Sequence, residues 1–141
     1  DVLPTSQLNL EEKFYQKIPY ENPKISIDNL KEDYFGKIFG TRSGDKGGCA
    51  NLGVWAKSQE AYSFLFDFLT VKKLKELLPD LERFEIDRFE LPNIYSLNFY
   101  VHDILQDGVS SSTRMDGQAK SLGEYLRAKK INFPEQLLKQ I

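Results

Sequence analysis

The hydrophobic and polar positions divide the chain near residue 34. Residues 1–34 hold three prolines, many charges and scattered aromatic side chains without a sustained period, which predicts an N-terminal arm or linker that lies on the protein surface. Within it, Asn9 and Glu12 are spaced as an N-cap and a third helical residue, which favours a short helix over 10–18. From residue 35 onwards, apolar residues recur at strand or helix spacing, so we predict one folded domain over 35–141.

Four segments show patterns typical of β-strands: residues 35–42, 52–57, 84–91 and 109–115. In 84–91 the alternation changes phase between Ile86 and Phe89, which predicts a β-bulge near residues 87–88. The glycine-rich segment 43–51 is predicted to connect the first two strands.

Capping residues define the predicted helices. Ser58 is expected to cap a helix that ends near residue 69, and Thr70 a second one over 71–78. Asp116 is expected to cap a later helix that buries Leu122 and Leu126. A short helical turn is predicted to start at Pro134.

Residues 93–105 fit two patterns. Leu97 and Val101 belong to a helical stripe that Asn93 would cap and Gly108 would end, whereas Leu97, Phe99 and Val101 also alternate as a strand. We favour the helix because its capping residues agree with its stripe. The whole pattern predicts an α+β fold, a two-layer sandwich of a mostly antiparallel four-stranded sheet with helices on one face.

Composition restricts the classes of function. The 141 residues carry a net charge of −2, which argues against nucleic acid as a partner. Cys49 and His102 are the single cysteine and histidine, so we predict no disulfide and no metal site. The apolar stretches are shorter than the roughly 20 residues that span a bilayer, so we expect no membrane partner. A cytoplasmic or other reducing intracellular compartment is the expected location.

The segment "GTRSGDKGGCANLG", residues 40–53, concentrates glycine and charge. One interpretation is an anion nest, in which backbone N–H groups converge beside Arg42 and Lys46 to bind a phosphate. The other is a rigid turn in which Asp45 accepts local N–H bonds and pairs with Arg42 or Lys46. The segment matches neither a P-loop nor a dinucleotide-binding loop.

His102 is the clearest candidate for proton transfer. In a helix it would neighbour Asn98, four residues earlier. It is either a general base or a boundary histidine hydrogen-bonded to Asn98 or to a carbonyl. A triad of Ser43, His102 and Asp45 is conceivable, but residues so near in sequence rarely serve as nucleophile and orienting acid.

Three stretches carry a resemblance to a known family: "TRSGDKGGCANLGV" (41–54), "ELPNIYSLNFYVHDIL" (90–105) and "GVSSSTRMDGQAKSLGE" (108–124). In order and spacing they resemble the small C-terminal domain of acyclic terpene utilisation (AtuA)-like proteins, over residues 35–131. Thr41 stands where that family usually has alanine. The resemblance implies a ferredoxin-like domain, which in this family usually follows a larger N-terminal domain and also occurs as a small stand-alone protein. The family is associated with catabolism of acyclic terpenes and branched acyl-CoA compounds.

These considerations define a candidate site and two functions. The catalytic candidates are His102 and Asp45, and Asp45 is also expected to pair with Arg114 across the sheet. We favour an accessory domain that docks onto the larger AtuA-like domain or self-associates, and that needs no cofactor. The alternative is a module that binds or transforms an acyl-CoA, with Arg42 and Lys46 on phosphate. The predicted ligand-binding residues are Arg42, Ser43, Gly44, Asp45, Lys46, Gly47, Asn51, Asn98 and Arg114.

Overall fold

The computed structural model describes residues 20–23, 29–46, 48–104 and 121–140. Its strands are β1 (Leu30–Tyr34), β2 (Gly40–Lys46), β3 (Cys49–Trp55), β4 (Ile86–Leu91), β5 (Ser96–Val101) and β6 (Lys130–Pro134). Its helices are α1 (Gln59–Phe68), α2 (Val71–Leu77), α3 (residues 121–127) and α4 (Glu135–Leu138). Short 3-10 turns lie at Phe35–Lys37, Pro79–Leu81 and Pro92–Ile94.

Four strands form an antiparallel sheet in the order β2-β3-β5-β4. Since β3 and β4 both pair antiparallel with β5, they run in the same direction on either side of it. The helices α1 and α2 connect them, so this part of the chain is a split β-α-β unit. The predicted α+β fold with a mostly antiparallel sheet is confirmed.

One face of this sheet, the inner face, packs on the helices. Its central strands contribute buried side chains at every second position, and these pack with the buried face of α1. Tyr62 of α1 is fully buried and its hydroxyl donates a hydrogen bond to the Ser96 carbonyl at 3.1 Å. Burial raises the pKa of Tyr62. The buried strand residues are Ala50, Leu52 and Val54 of β3 and Leu97, Phe99 and Val101 of β5.

Helix α3 lies against the inner face of β2 at Gly123. The Thr41 hydroxyl donates to the Gly123 carbonyl at 2.9 Å, and the Gly123 N–H donates to the Ser43 hydroxyl at 3.2 Å. A β-carbon at residue 123 would lie 2.8 Å from Thr41 Oγ1, so only glycine permits this approach without a shift. Leu122 and Leu126 are buried as predicted, while their expected cap, Asp116, lies outside the described residues.

The strands β1 and β6 form a separate two-stranded sheet that the sequence patterns did not predict. Phe133 of β6 joins it to the main core, because its ring centroid lies 5.9 Å from Phe39 and 5.8 Å from Phe64. Residues 20–23 lie against α1, where Asn22 Nδ2 donates to the Ser63 carbonyl at 3.0 Å. The division of the chain at residue 34 stays a prediction.

The predicted helix over 93–105 is wrong. After a turn at Pro92–Ile94, Tyr95 takes a left-handed conformation (φ 52°) and the chain continues as β5. Asp103 (φ 60°) turns it again immediately after the strand. The alternating set Leu97, Phe99 and Val101 is therefore the one that the protein buries.

The predicted bulge in 84–91 is also wrong, since β4 pairs with β5 without an inserted residue. The phase change has another cause. Arg88 takes the inner-face position, where its guanidinium lies 4.7 Å from the Phe66 ring centroid and donates to the Leu69 carbonyl at 2.9 Å. Phe89 consequently faces the other way and is 44% exposed. A cation at the last carbonyls of α1 is a favourable partner for that helix end.

Other boundaries differ in part. Residues 43–51 are not a connection, because most of them belong to β2 and β3, and the predicted strand over 35–42 begins only at Gly40. The predicted caps are confirmed: Ser58 and Thr70 accept hydrogen bonds from the backbone N–H groups of Ala61 and Lys73. A short helix follows Pro134 as predicted. The predicted helix over 10–18 and strand over 109–115 lie outside the described residues.

The contact between Gly123 and Thr41 gives a stability prediction. We expect Gly123→Ala to lower the free energy of unfolding by about 1–3 kcal/mol, because overlap with Thr41 outweighs the roughly 1 kcal/mol that alanine gains in a helix. In a Thr41→Ala background the closest atom is gone and the cost should shrink, as urea unfolding would measure. The control is Gly44→Ala, where a β-carbon meets nothing within 4 Å, which should stabilise by about 0.5–1 kcal/mol. Equal costs in both backgrounds would contradict this account.

Candidate functional site on the outer face of the sheet

The second face of the four-stranded sheet, here called the outer face, carries many of the polar residues of the segments 41–54 and 90–105. The strand register places its residues in three rows that run across all four strands. Most of these side chains are partly or largely exposed. The rows are Gly40, Trp55, Ser96 and Leu91; then Arg42, Gly53, Asn98 and Phe89; then Gly44, Asn51, Tyr100 and Asp87.

Glycines form the floor of a cavity on this face. The cavity has a volume of about 420 Å³, and Gly44 and Gly53 contribute backbone without a side chain above it. At the next row, Trp55 lies so close over Gly40 that a β-carbon there would overlap the indole ring. The glycines of segment 40–53 thus leave room on the sheet for the indole ring of Trp55 and for the cavity.

Polar groups of two kinds line this cavity. Asn51 Nδ2 donates to Asn98 Oδ1 at 2.9 Å, which fixes both amides across the strand pair β3–β5. Arg42 is exposed, and within the described ranges its side chain forms no ion pair or hydrogen bond. A guanidinium is always charged and donates in a fixed fork, a chemistry that suits an anion. Apolar contact is supplied by Trp55, Leu91 and Ile94.

A second group lies at the other end of the outer face. His102 Nε2 lies 2.7 Å from Asp87 Oδ2, and hydrogen bonding to this carboxylate raises the pKa of His102. The Tyr100 ring meets the His102 ring edge-on, with centroids 5.2 Å apart. A hydrogen bond with Cys49 raises the pKa of Tyr100. This group is therefore a run of titratable side chains across three strands.

The structure brings together only some of the predicted site residues. Arg42, Ser43, Gly44, Asn51 and Asn98 all line the cavity. The register nevertheless puts Ser43 and Asp45 in the inner-face rows, and the Ser43 hydroxyl accepts a hydrogen bond from the Gly123 N–H of α3. The Lys46 side chain, Gly47 and Arg114 lie outside the described residues, so the pairing of Asp45 with Arg114 stays a prediction.

The predicted neighbours of His102 are replaced. Asn98 and His102 do not share a helical face, because residues 96–101 form a strand. Asp45 lies in one register row with Ala50 and Val101, so two strand spacings, about 10 Å, separate its backbone from β5. The triad of Ser43, His102 and Asp45 is therefore not formed.

Sequence reasoning missed Asp87 and Trp55. Asp87 comes next to His102 only because β4 and β5 form a hairpin with Asp87 opposite Tyr100. Reading residues 93–105 as a strand would have revealed this. Trp55 pairs with Gly40 across β2 and β3, and a glycine opposite a large ring is the signal in the sequence that points to it.

The described part of the chain shows neither a cluster of metal ligands nor a membrane-spanning helix. No group of three or more His, Cys, Asp and Glu side chains is arranged there to hold a metal ion. No helix among those residues is sufficiently long and apolar to cross a membrane.

The fold and its outer face define a ferredoxin-like α+β domain with one face on helices and the other carrying a polar, glycine-floored cavity. Residues 35–132 match the sequence model of the AtuA ferredoxin-like domain, and the chain belongs to this family. No curated protein and no solved structure matches the chain.

The pair of His102 and Asp87 gives a prediction on pH. We expect Asp87→Asn to lower the pKa of His102, measured by NMR titration of the imidazole. The raised pKa means that the pair stabilises the wild-type fold fully below the unfolded value of 6.5 and loses this effect as the pH rises through the folded pKa. The difference in free energy of unfolding between wild type and Asp87→Asn should therefore become smaller once the pH is above the folded pKa of His102. The same imidazole pKa in both proteins would show that the contact is absent in solution.

Proposed function

We propose that this chain is an accessory domain of an AtuA-like protein, linked to catabolism of acyclic terpenes or related branched acyl-CoA compounds. In this proposal its outer face docks onto the larger AtuA-like domain. The glycine-rich, charged hairpin of β2 and β3 then forms one wall of a composite site. Membership of the AtuA ferredoxin-like family supports the connection with AtuA proteins.

The observation that carries the proposal is the exposure of large apolar side chains on or beside the outer face. Trp55 is 38% exposed, Phe89 44% and Ile94 63%. They lie beside Arg42 and the bonded pair of Asn51 and Asn98. Aromatic and arginine side chains of this kind are enriched at protein–protein contacts.

The distribution of reactive groups also supports a composite site. Along the outer face, Arg42 lies one row from Asp87 and two rows from His102, and the cavity reaches the row of Asp87 only at Gly44 and Asn51. Within the described residues, no serine or cysteine is seen bonded to His102. A partner surface over the outer face would supply groups that this face lacks and would exclude water from both ends, which strengthens electrostatic contacts there.

The alternative is a module that binds or transforms an acyl-CoA by itself, with Arg42 and Lys46 on phosphate and His102 or Asp45 moving a proton. The exposed guanidinium of Arg42 beside a cavity favours it. A rise of the melting temperature with increasing concentration of CoA thioesters, on the isolated chain, would support this alternative over docking.

Docking is tested with a larger AtuA-like domain from the same genome, expressed separately. Trp55 is the only tryptophan of the 141 residues, so its fluorescence reports directly on the outer face. We expect mixing to shift the emission of Trp55 and to give a complex of defined mass in sedimentation. Phe89→Ser and Ile94→Ser together should weaken the complex at least about tenfold, because they remove the exposed apolar contact.

The matched control is Tyr125→Ser, which removes a 48% exposed aromatic ring on α3. This helix packs on the inner face, so the affinity should not change. Self-association of the chain through Phe89 and Ile94, without binding of the larger domain, would replace the proposed partner by a second copy. Full binding by the double variant would show that the outer face is not the docking surface.

A further inference from the structure

We infer that the outer-face cavity binds a small monocarboxylate with a short hydrocarbon group, its carboxylate held by Arg42 and Asn98 and its hydrocarbon by Trp55, Leu91 and Ile94. The inference rests on the proposed function, since it names the ligand class of the composite site. It is tested on the chain alone, so docking and ligand binding give separate results.

The anion end follows from the middle row of the outer face. Arg42, Gly53 and Asn98 are successive partners across β2, β3 and β5. Within this row of the sheet, the residue between the guanidinium and the amide is glycine, which places no side chain between them. A β-carbon built on Gly53 would lie 3.9 Å from Asn98 Oδ1, so the amide lies directly beside this gap.

The donors at this end are unused within the described residues. Asn98 Oδ1 accepts from Asn51, and Nδ2 of Asn98 has no partner there. Arg42 likewise has no ion pair among them. A guanidinium fork and an amide N–H₂ group together match the two oxygens of a carboxylate. Among the described lining residues Arg42 is the one cation, and one cation neutralises a monocarboxylate but leaves a phosphate dianion with uncompensated charge.

The hydrocarbon end follows from the row beside it. Trp55 is held over Gly40, which fixes the position of its indole ring. Leu91 and Ile94 line the same cavity. Since the volume of about 420 Å³ is within the range of small-molecule sites, it accommodates a compact acid, with the apolar group on the ring and away from Arg42.

The experiment titrates the isolated chain with acetate, isovalerate, hexanoate, neutral isovaleramide and inorganic phosphate. Binding is followed by Trp55 fluorescence and by the NMR amide shifts of Gly53 and Asn98. We expect isovalerate and hexanoate to bind with dissociation constants of about 1 mM or below. Acetate, which lacks the hydrocarbon, and isovaleramide, which lacks the charge, should bind at least about tenfold more weakly.

Four variants separate the site from the fold. Arg42→Gln should weaken isovalerate binding at least about tenfold, while Arg42→Lys keeps part of it because the charge remains. Lys72→Gln removes one exposed positive charge from α2 and should leave binding unchanged. Gly53→Ala should weaken isovalerate binding by occupying the floor, without loss of melting temperature, since its β-carbon meets the protein only at ordinary contact distances of 3.7 and 3.9 Å.

Several results would overturn the inference. They are no response of Trp55 or of the amides at about 10 mM acid, equal binding of isovalerate and isovaleramide, binding of phosphate alone, and unchanged binding by Arg42→Gln. Any of these, obtained while the larger AtuA-like domain still docks, rejects the ligand class and leaves the proposed function standing. Carboxylate binding by a chain that does not dock onto the larger domain would support the ligand class and reject the proposed function.

Discussion

The pairing of β3 with β5 at the centre of the sheet is the constraint on which the other features depend. It sets Leu52 opposite Phe99 and Gly53 opposite Asn98, so alternate residues face the helices or the outer face. A slip of one residue would exchange the two sets and bury the amides where leucine and phenylalanine now pack. The packing of apolar side chains against α1 on the inner face therefore also fixes the positions of the polar side chains on the outer face.

Residues 41–44 of β2 contribute to both faces of the sheet. Thr41 and Ser43 point inwards and hold both backbone groups of Gly123 in α3. Arg42 and Gly44 point outwards and line the cavity. Residues that suggested a single loop form a strand instead, in which Thr41 and Ser43 hold α3 while Arg42 and Gly44 line the cavity on the other face.

The extent to which the sequence predicts this structure varies by element. Helices α1 and α2 were predictable because Ser58 and Thr70 are local signals that the fold uses unchanged. Residues 93–105 were not, since apolar residues at helical and at strand spacing overlap there and the left-handed Tyr95 leaves no mark in composition. The bulge failed because a cationic Arg88 occupies an inner position, compensated by Phe66 and a helix carbonyl. Of the site, Arg42, Asn51 and Asn98 were found from their motifs, whereas Asp87 comes next to His102 only when residues 96–101 form a strand, and their pattern fits a helix as well.

The small sheet of β1 and β6 has a mechanical consequence. Its register pairs Leu30 with Pro134 and Tyr34 with Lys130, and the N–H of Glu135 donates to the Asn29 carbonyl at 3.0 Å. The polypeptide thus enters and leaves this sheet side by side. Tension applied through the flanking chain would break the hydrogen bonds between β1 and β6 one after another, as in unzipping. The two-stranded sheet would therefore separate before the four-stranded sheet was strained.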